Sequence, residues 1–281
     1  MKTHSYTNLW RRLRRNRLAV TGLGIILLVV LSSLFAPWIA PFDPFKQDFS
    51  LIMMPMDHFH WFGTDQLGRD IFSRVLFGSQ ITLTISFVSV CIGMILGSLT
   101  GLLAGYYGGK IDSAIVWMTD LALAFPGMLL AIAVIASVGP GLEGIIIATA
   151  VYSIPQFIRL ARGSALLEKR KEYVAAASCI GETDLSILFR YVLPNCLPTL
   201  AILFTLQMAN VILIASGLSF LGLGAQPPSP EWGAMLSQGR TYLQTAPHLS
   251  IFPGMAIMIV VLSFNLFGDG LRDALDPRMR G

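Results

Sequence analysis

Few residues in this chain have the types and spacing that metal or covalent chemistry requires. Asp57, His58 and His60 form an acidic H-x-H cluster, which is the arrangement closest to a metal-binding motif. Two imidazoles and one carboxylate without further ligands are a weak metal signal, and packing of the turn before Trp61 is the commoner role for His60. The cysteines are far apart and show no C-x-x-C spacing: Cys91, Cys179 and Cys196. We therefore predict no metal site and no disulfide framework.

Nucleotide hydrolysis is not indicated either. A phosphate-binding loop needs the pattern G-x-x-x-x-G-K-[ST], and the nearest match, at Gly109-Lys110, has Ala104 and Ile111 at the other required positions. We find no cluster of acid, base and nucleophile. The chain is predicted to be no enzyme and to bind no cofactor itself.

Four charged residues before the second apolar segment are spaced for helical pairing. Asp65 and Arg69 are four residues apart, as are Asp70 and Arg74, and this spacing favours ion pairs on one helix face. Two interpretations remain open: a docking or gating contact, or a salt-bridge network that holds the segment together.

Composition narrows the class of protein. Of 281 residues, 54% are hydrophobic and 13% are charged, about half of the 25% charged content typical of soluble domains. A disordered chain, a nucleic-acid-binding protein and an ordinary soluble enzyme are excluded. The remaining class is an all-α polytopic membrane protein.

Six membrane-spanning helices are predicted from uncharged runs near the length of about 20 residues that a bilayer needs. Helices are the default for such runs because hydrocarbon offers backbone groups no partner. The predicted helices are 18–40, 79–105, 113–138, 142–161, 197–222 and 250–269. The first is an uncleaved anchor, since its apolar run exceeds the 7–15 residues of a signal peptide.

The basic residues predict the orientation. With six spans, four of the 20 lie on one side, at Lys46, Arg69, Arg74 and Arg240, and the other sixteen lie on the opposite side. The positive-inside rule therefore places both termini in the cytoplasm. We divide the chain into residues 1–78, with the N-terminus, first helix and an external loop, and residues 79–281, a transmembrane domain with a cytoplasmic connection at 163–196.

This connection carries the pattern of two short amphipathic helices. Tyr173, Ala176, Ala177 and Ile180 repeat at helical spacing, and Gly181 is placed to end that helix. A second helix is predicted from a cap at Thr183 or Asp184 and an end at Pro194, with apolar residues at Leu185, Leu188, Phe189 and Val192.

Two functions fit such helices outside the bilayer. A small-residue face permits docking into a groove of a cytosolic partner. The alternative is an interfacial helix on the inner leaflet, with Lys169, Arg170 and Lys171 on anionic lipid.

Three residues inside predicted spans are pore candidates. Asp120 either lines a pore or contacts another membrane subunit, or it lies near the cytoplasmic interface and bonds Lys110 or a backbone amide. Pro126 and Pro155 are predicted kinks, whose freed carbonyls either line a pathway or only accommodate packing.

The connection resembles the EAA loop of ABC-importer permeases. It reads Ala175-Ala176-Ala177, three residues, Gly181, nine residues, Tyr191, one residue and Leu193-Pro194. Ala175 stands where the family has Glu, and Tyr191 where it has Ile. Glu172, one turn earlier, is a partial substitute for the missing carboxylate.

Three further segments are similar to the C-type permease of dipeptide and oligopeptide importers, a subfamily that includes glutathione and nickel permeases. The first is Gly63-Thr64-Asp65-Gln66-Leu67-Gly68-Arg69-Asp70, before the second helix. The others are 218–233, with Pro227-Pro228 and Glu231-Trp232-Gly233, and 264–277, with Gly268-Asp269-Gly270-Leu271-Arg272-Asp273.

The resemblance implies a type I ABC importer permease fold in the bacterial inner membrane. It implies a second homologous permease, two cytosolic ATPases that use ATP and Mg²⁺, and an extracytoplasmic binding protein; no nucleic acid is involved. The implied cargo is a peptide or peptide-like solute such as a dipeptide, an oligopeptide or glutathione, with a nickel or metal chelate as the alternative. A secondary transporter or channel is disfavoured because, away from the ends of the predicted spans, Asp120 alone offers an acidic or basic group.

The resemblance also implies roles for residues. The ATPase-coupling set is Tyr173, Ala175, Ala176, Ala177, Ile180, Gly181, Leu185, Leu193 and Pro194. The external signature or gate is Asp65, Gly68, Arg69, Asp70 and Arg74. A cytoplasmic brace for the coupling connection, or a contact with the ATPase, is expected from Asp269, Arg272 and Asp276.

Overall fold

Helices make up most of the described chain. The computed structural model describes residues 13, 14 and 16–275, and over these residues extended pairing is confined to one bridge between Thr64 and Asp70. In chain order the helices are α1 (Arg17–Leu34), α2 (Ala36–Ile39), α3 (Ile71–Tyr107), α4 (Gly109–Ala124), α5 (Gly127–Val138), α6 (Leu142–Lys169), α7 (Glu172–Cys179), α8 (Asp184–Ile187), α9 (Leu193–Phe220), α10 (Trp232–Gly239) and α11 (His248–Leu275). Short 3-10 turns lie at Phe49–Leu51 and Arg240–Tyr242, and a π-helical turn lies at Leu188–Val192.

Five stretches are long and apolar enough to cross a membrane: α1, α3, α6, the continuous run Asp184–Phe220, and α11. The bent pair α4–α5 is a sixth if it counts as one span. The prediction that the second helix starts at residue 79 is wrong, because the Asp70 carboxylate accepts the Ser73 N–H at 2.7 Å and caps a helix that begins at Ile71.

The predicted third helix, 113–138, is broken near its middle. α4 and α5 meet at an angle of 98°. Pro126 supplies no backbone N–H to continue the helix, and Phe125 before it adopts an extended conformation, as the residue preceding a proline tends to do. Pro155, in contrast, lies inside the continuous helix α6.

The long helices run between two ends of the bundle. We call one the basic end, where Tyr107–Gly109 and residues 163–192 lie, and the other the loop end, where residues 40–70, 139–141 and 221–247 lie. α3 arrives at the basic end and α6 departs from the loop end, so the pair α4–α5 leads from one end to the other.

A glycine row on α3 brings it against α6. Gly93, Gly97, Gly101 and Gly105 all face α6, and their spacing of four places them on one side of the helix. A Cβ at Gly97 would lie 2.6 Å from the carbonyl oxygen of Ile154. Small residues at such spacing let the backbones of membrane helices approach closely, so α3 and α6 form a closely packed pair.

Candidate functional site

The segment predicted to couple to a partner is fastened to α3. The Tyr106 hydroxyl donates to Asp184 Oδ1 at 2.9 Å. The Lys169 ammonium donates to the carbonyl of Tyr106 and lies 5.1 Å from the centre of its ring. The last turn of α3 therefore holds both the end of α6 and the start of α8.

Glu168 forms a second attachment. Its carboxylate accepts hydrogen bonds from the Lys171 ammonium at 2.5 Å and from the Tyr173 hydroxyl. Asn195 Nδ2 in turn donates to the Tyr173 oxygen at 3.2 Å. Burial, and then the adjacent Glu168 carboxylate, raise the pKa of Tyr173. The phenol thus stays protonated and ties α7 to α6 and to the start of α9.

The turn between α7 and α8 is fixed locally. Gly181 has φ of +84° and follows the end of α7, as predicted for a helix C-terminus. Thr183 Oγ1 accepts the Ser186 N–H at 3.3 Å and caps α8, as predicted. The Glu182 carboxylate accepts hydrogen bonds from Ser186 and, at 3.4 Å, from Tyr191.

The coupling segment presents an apolar outer surface. Ile180 is 77% exposed, Leu185 56% and Phe189 49%. We call the following set the coupling face: Ala175, Ala176, Ile180, Gly181, Leu185 and Phe189, all exposed. Exposed apolar patches of this kind mark interaction surfaces, and the row can dock into a groove.

The inner surface of the same segment is core. Val174, Ala177, Ile187, Leu188 and Val192 are buried. The predicted stripe of Tyr173, Ala176, Ala177 and Ile180 is therefore divided, with Ala177 packed inside, Tyr173 half-buried and the other two exposed.

Pro194 does not end the second helix, so this prediction is wrong. α8 continues through the π-helical turn into α9. Pro194 lies in the first turn of α9, where the missing N–H costs little, and Leu193 beside it is half-buried. The coupling face is thereby joined without a break to a spanning helix.

A buried charge cluster organises the loop end. The predicted contact is present, with Arg69 Nε 2.6 Å from Asp65 Oδ2, but residues 65–69 form a turn and not the helix that their spacing predicted. Arg74 Nε contacts the same oxygen at 3.4 Å, and Arg69 also donates to Gln238 at 3.2 Å. Gly68 has φ of +72° and lies against the backbone of Asp48, where a Cβ would not fit.

The predicted pair Asp70–Arg74 does not form. Asp70 Oδ1 instead contacts His60 Nδ1 at 2.9 Å, and its Oδ2 accepts the Ser73 hydroxyl at 2.6 Å. Since Asp70 is the helix cap, its side chain turns towards the start of α3 and away from Arg74.

No metal site emerges from the H-x-H cluster. Across residues 16–275 no group of three potential ligands is close enough to hold an ion. His60 is 7% exposed and stacks on Phe42 with ring centres 4.6 Å apart, as its predicted packing role implies.

Asp120 has a partner other than those predicted. Its Oδ1 accepts a hydrogen bond from Arg159 on α6 at 2.9 Å, not from Lys110 or a backbone amide. Arg162 forms a second such bond with Asp112. Both charged pairs join α4 to α6.

The expected brace is only partly visible. Asp269 and Arg272 are exposed and form no ion pair among residues 16–275, and Asp276 lies outside the described residues. Near them, Asn16 Nδ2 donates to Asp273 at 3.4 Å, so this end of α11 is held by α1. Their role at the coupling segment stays a prediction.

Comparison with known proteins identifies the family. Residues 97–281 match the model of the binding-protein-dependent transport system inner membrane component. Residues 6–55 match the N-terminal TM domain of oligopeptide transport permease C. The chain belongs to the binding-protein-dependent permeases of ABC importers. It is therefore a non-enzymatic, membrane-embedded subunit of an importer in the bacterial inner membrane, which works with ATPase and substrate-binding subunits.

Relatives of this permease are known at high identity. The glutathione transport system permease protein GsiD of Escherichia coli O6:K15:H31 (strain 536 / UPEC) is 49% identical over 273 residues, which cover 97% of this chain and 90% of the relative. GsiD of Shigella boydii serotype 4 (strain Sb227) matches to the same extent.

Two solved structures share the fold of this permease. Both are inward-facing conformations of the MetNI methionine ABC transporter, at 21% identity. The first has a TM-score of 0.56, and the match covers 70% of this chain and 94% of the solved chain. The second has a TM-score of 0.57, and the match covers 73% of this chain and 98% of the solved chain. They support the type I permease fold.

Sequence reasoning missed the residues that fasten the coupling segment. Tyr106, Glu168, Glu182 and Asn195 were not singled out, because their partners lie on other elements or across a turn. One signal was available for Glu168, since a carboxylate directly before three consecutive basic residues is placed for a local ion pair.

Proposed function

We propose that this chain is one of two unlike permeases in an importer of peptides or peptide-like solutes, glutathione among them. The 49% identity to GsiD supports this class of cargo. ATP and Mg²⁺ are bound by the two ATPase subunits, and cargo is delivered by the binding protein.

The coupling face transmits the movement of the ATPases to the permease. Its apolar residues Ile180, Leu185 and Phe189 dock in a groove of the ATPase, while Tyr106, Glu168 and Asn195 hold the segment against three spanning helices. Closure of the ATPases moves the coupling face, and the continuous run into α9 carries this movement into the pore. The ATP-binding sites of the ATPases and the cargo pathway of the pore thus act on one element that has two conformations.

The topology has six crossings with both termini in the cytoplasm. α4–α5 leads from the basic end to the loop end; its helices of 16 and 12 residues, bent by 98°, together span about 28 Å, close to a hydrocarbon core of about 30 Å. The distribution of basic residues, sixteen against four, supports the orientation.

The function is tested in proteoliposomes that contain the chain with its partner permease and two ATPases, supplied with binding protein and ATP. Uptake of radiolabelled glutathione, a tripeptide and a nickel chelate is measured. We expect uptake of glutathione or tripeptide; uptake of the chelate alone, or uptake without ATPases, would contradict the proposal.

Docking is tested with Ile180→Asp, since a carboxylate cannot enter an apolar groove without a large desolvation penalty. We expect the ATPases to be lost on purification. Leu243→Asp is the matched control, because Leu243 is 54% exposed at the loop end. Equal ATPase recovery from both variants would exclude the coupling face as the docking site.

A further inference from the structure

Asp120 and Arg159 form an ion pair that is unusually exposed for its position. Their side chains are 59% and 65% exposed although they contact each other at 2.9 Å. Both lie within the helices that join the two ends of the bundle, Asp120 on α4 and Arg159 on α6.

The pair lies deep along both helices. Asp120 is eleven residues from the start of α4, and Arg159 is ten residues before the end of α6. At 1.5 Å per residue Asp120 lies about 16 Å along α4 from its start and Arg159 about 15 Å along α6 from its end, so the pair lies between these helix ends and the break at Pro126.

Water, not lipid, is the medium that fits this position. Charged side chains at membrane depth are costly in hydrocarbon and normally face the bundle interior or a water-filled cavity. The neighbouring break supports this, because Phe125 and Pro126 are exposed there and non-helical backbone at membrane depth is tolerated in protein or beside water.

A polar row on α6 extends the same surface. Tyr152, Gln156 and Arg159 repeat at spacings of four and three, so they share one face of the helix. A Cβ at Gly127, just past the break, would lie within 3 Å of the Tyr152 ring. The row therefore runs from the break of α4–α5 to the ion pair.

We propose that Asp120 and Arg159 form a transmembrane subsite for the charged termini of a zwitterionic peptide-like solute. Arg159 receives the carboxylate, for which a guanidinium offers a planar pair of donors, and Asp120 receives the ammonium group. In the empty pore the two side chains neutralise each other, and the solute replaces each partner with one of its own termini. This subsite rests on the proposed function.

The second ion pair on the same helices provides a matched control. Arg162 contacts Asp112 through two nitrogens, at 2.5 and 2.8 Å. Its side chains are only 33% and 18% exposed. This pair fastens α4 to α6 and offers a solute little access.

The test compares a tripeptide with its C-terminal amide in the reconstituted importer, as cargo delivered per ATP hydrolysed at saturating binding protein. We expect wild type to deliver the free acid several-fold better than the amide. Arg159→Gln should lower delivery of the free acid to the level of the amide, and it should leave delivery of the amide unchanged. Arg162→Gln should lower both cargoes by the same factor.

Several results would overturn the subsite. These are equal delivery of both cargoes by wild type, an equal loss of both in Arg159→Gln, or full recovery of delivery when Asp120→Arg is combined with Arg159→Asp, which restores a merely structural pair. Loss of the partner permease from Arg159→Gln during purification would instead assign the pair to the subunit interface.

If the binding protein accepts only the free acid, both peptides are titrated directly into the detergent-solubilised complex, and equal affinities for wild type would refute the subsite. Failure of the proposed function is distinguishable, since wild type would then deliver no peptide and loaded binding protein would not stimulate its ATPases.

Discussion

Tyr106, the penultimate residue of α3, donates a hydrogen bond of 2.9 Å to Asp184, the first residue of α8. Asp184 begins the continuous run that leads into α9, and α3 is packed on α6 through its glycine row. This bond therefore connects the coupling segment to the closely packed pair α3–α6.

Tyr106→Phe should weaken coupling while the fold is kept. The ring and its contact with the Lys169 ammonium remain, and only the hydrogen bond to Asp184 is lost, which is worth about 1 kcal/mol. We expect about fivefold less stimulation of the ATPases by loaded binding protein. Tyr107→Phe, at an exposed neighbouring ring, should leave stimulation unchanged, and the same loss in both variants would argue against the bond.

The glycine row on α3 makes a prediction about stability. Gly97→Ala places a methyl group 2.6 Å from the Ile154 carbonyl oxygen and 2.7 Å from Phe157 Cβ. The two helices must separate, which costs about 1–3 kcal/mol of unfolding free energy. Thermal melting of the purified complex measures the loss. Gly24→Ala on α1, where a Cβ meets nothing within 4 Å, should change the melting temperature little; equal shifts would show that the row does not set the packing.

Local signals in the sequence were sufficient where the structure depends on neighbours in the chain. Gly181 and Thr183 end and cap their helices as predicted, and Asp65 pairs with Arg69 four residues on. Apolar runs likewise predict the long helices, because a bilayer requires every backbone group to be bonded within its own segment.

Contacts between distant segments were not predictable in this way. Asp120 pairs with Arg159, 39 residues away, and the sequence gives no sign of which helix faces α4. The prolines were also hard to judge: the chain bends by 98° at Pro126, whereas the helix runs on through Pro194, which lies in the first turn of α9. Propensity indicates that a proline perturbs a helix but does not give the size of the bend.

The buried carboxylate of Asp65 leads to a prediction at the loop end. Asp65 is 5% exposed and contacts both Arg69 and Arg74, each 1% exposed or less. Asp65→Asn leaves two buried guanidinium groups without their anion, a type of change that costs about 3–5 kcal/mol. We expect faster proteolysis of residues 41–70 in the purified complex. Asp57→Asn, at an exposed turn, should keep the wild-type rate, and resistance of the Asp65 variant would contradict an anchoring role.

Glu231 leads to a prediction about pH. It is 1% exposed and caps α10, with its carboxylate oxygens accepting the N–H groups of Gly233 at 2.9 Å and Ala234 at 2.8 Å. Burial raises the pKa of Glu231 above its ordinary value of 4.5, although the two N–H groups oppose this. The folded state thus binds the proton more tightly than the unfolded state, so the contribution of Glu231 to stability rises as pH falls from neutral through the raised pKa.

Glu231→Gln should remove this dependence, because an amide does not titrate. As pH falls towards 4.5, the melting temperature of the wild-type complex should rise relative to that of the variant. Asp48→Asn provides a control without this dependence, since hydrogen bonds from Ser50 lower the pKa of Asp48 below 3.8, so its contribution to stability is constant from pH 7 to 4.5 and is lost only at lower pH. If the melting temperatures of wild type and Glu231→Gln differ by a constant amount from pH 7 to 4.5, the Glu231 carboxyl has the same proton affinity in the folded and unfolded chains.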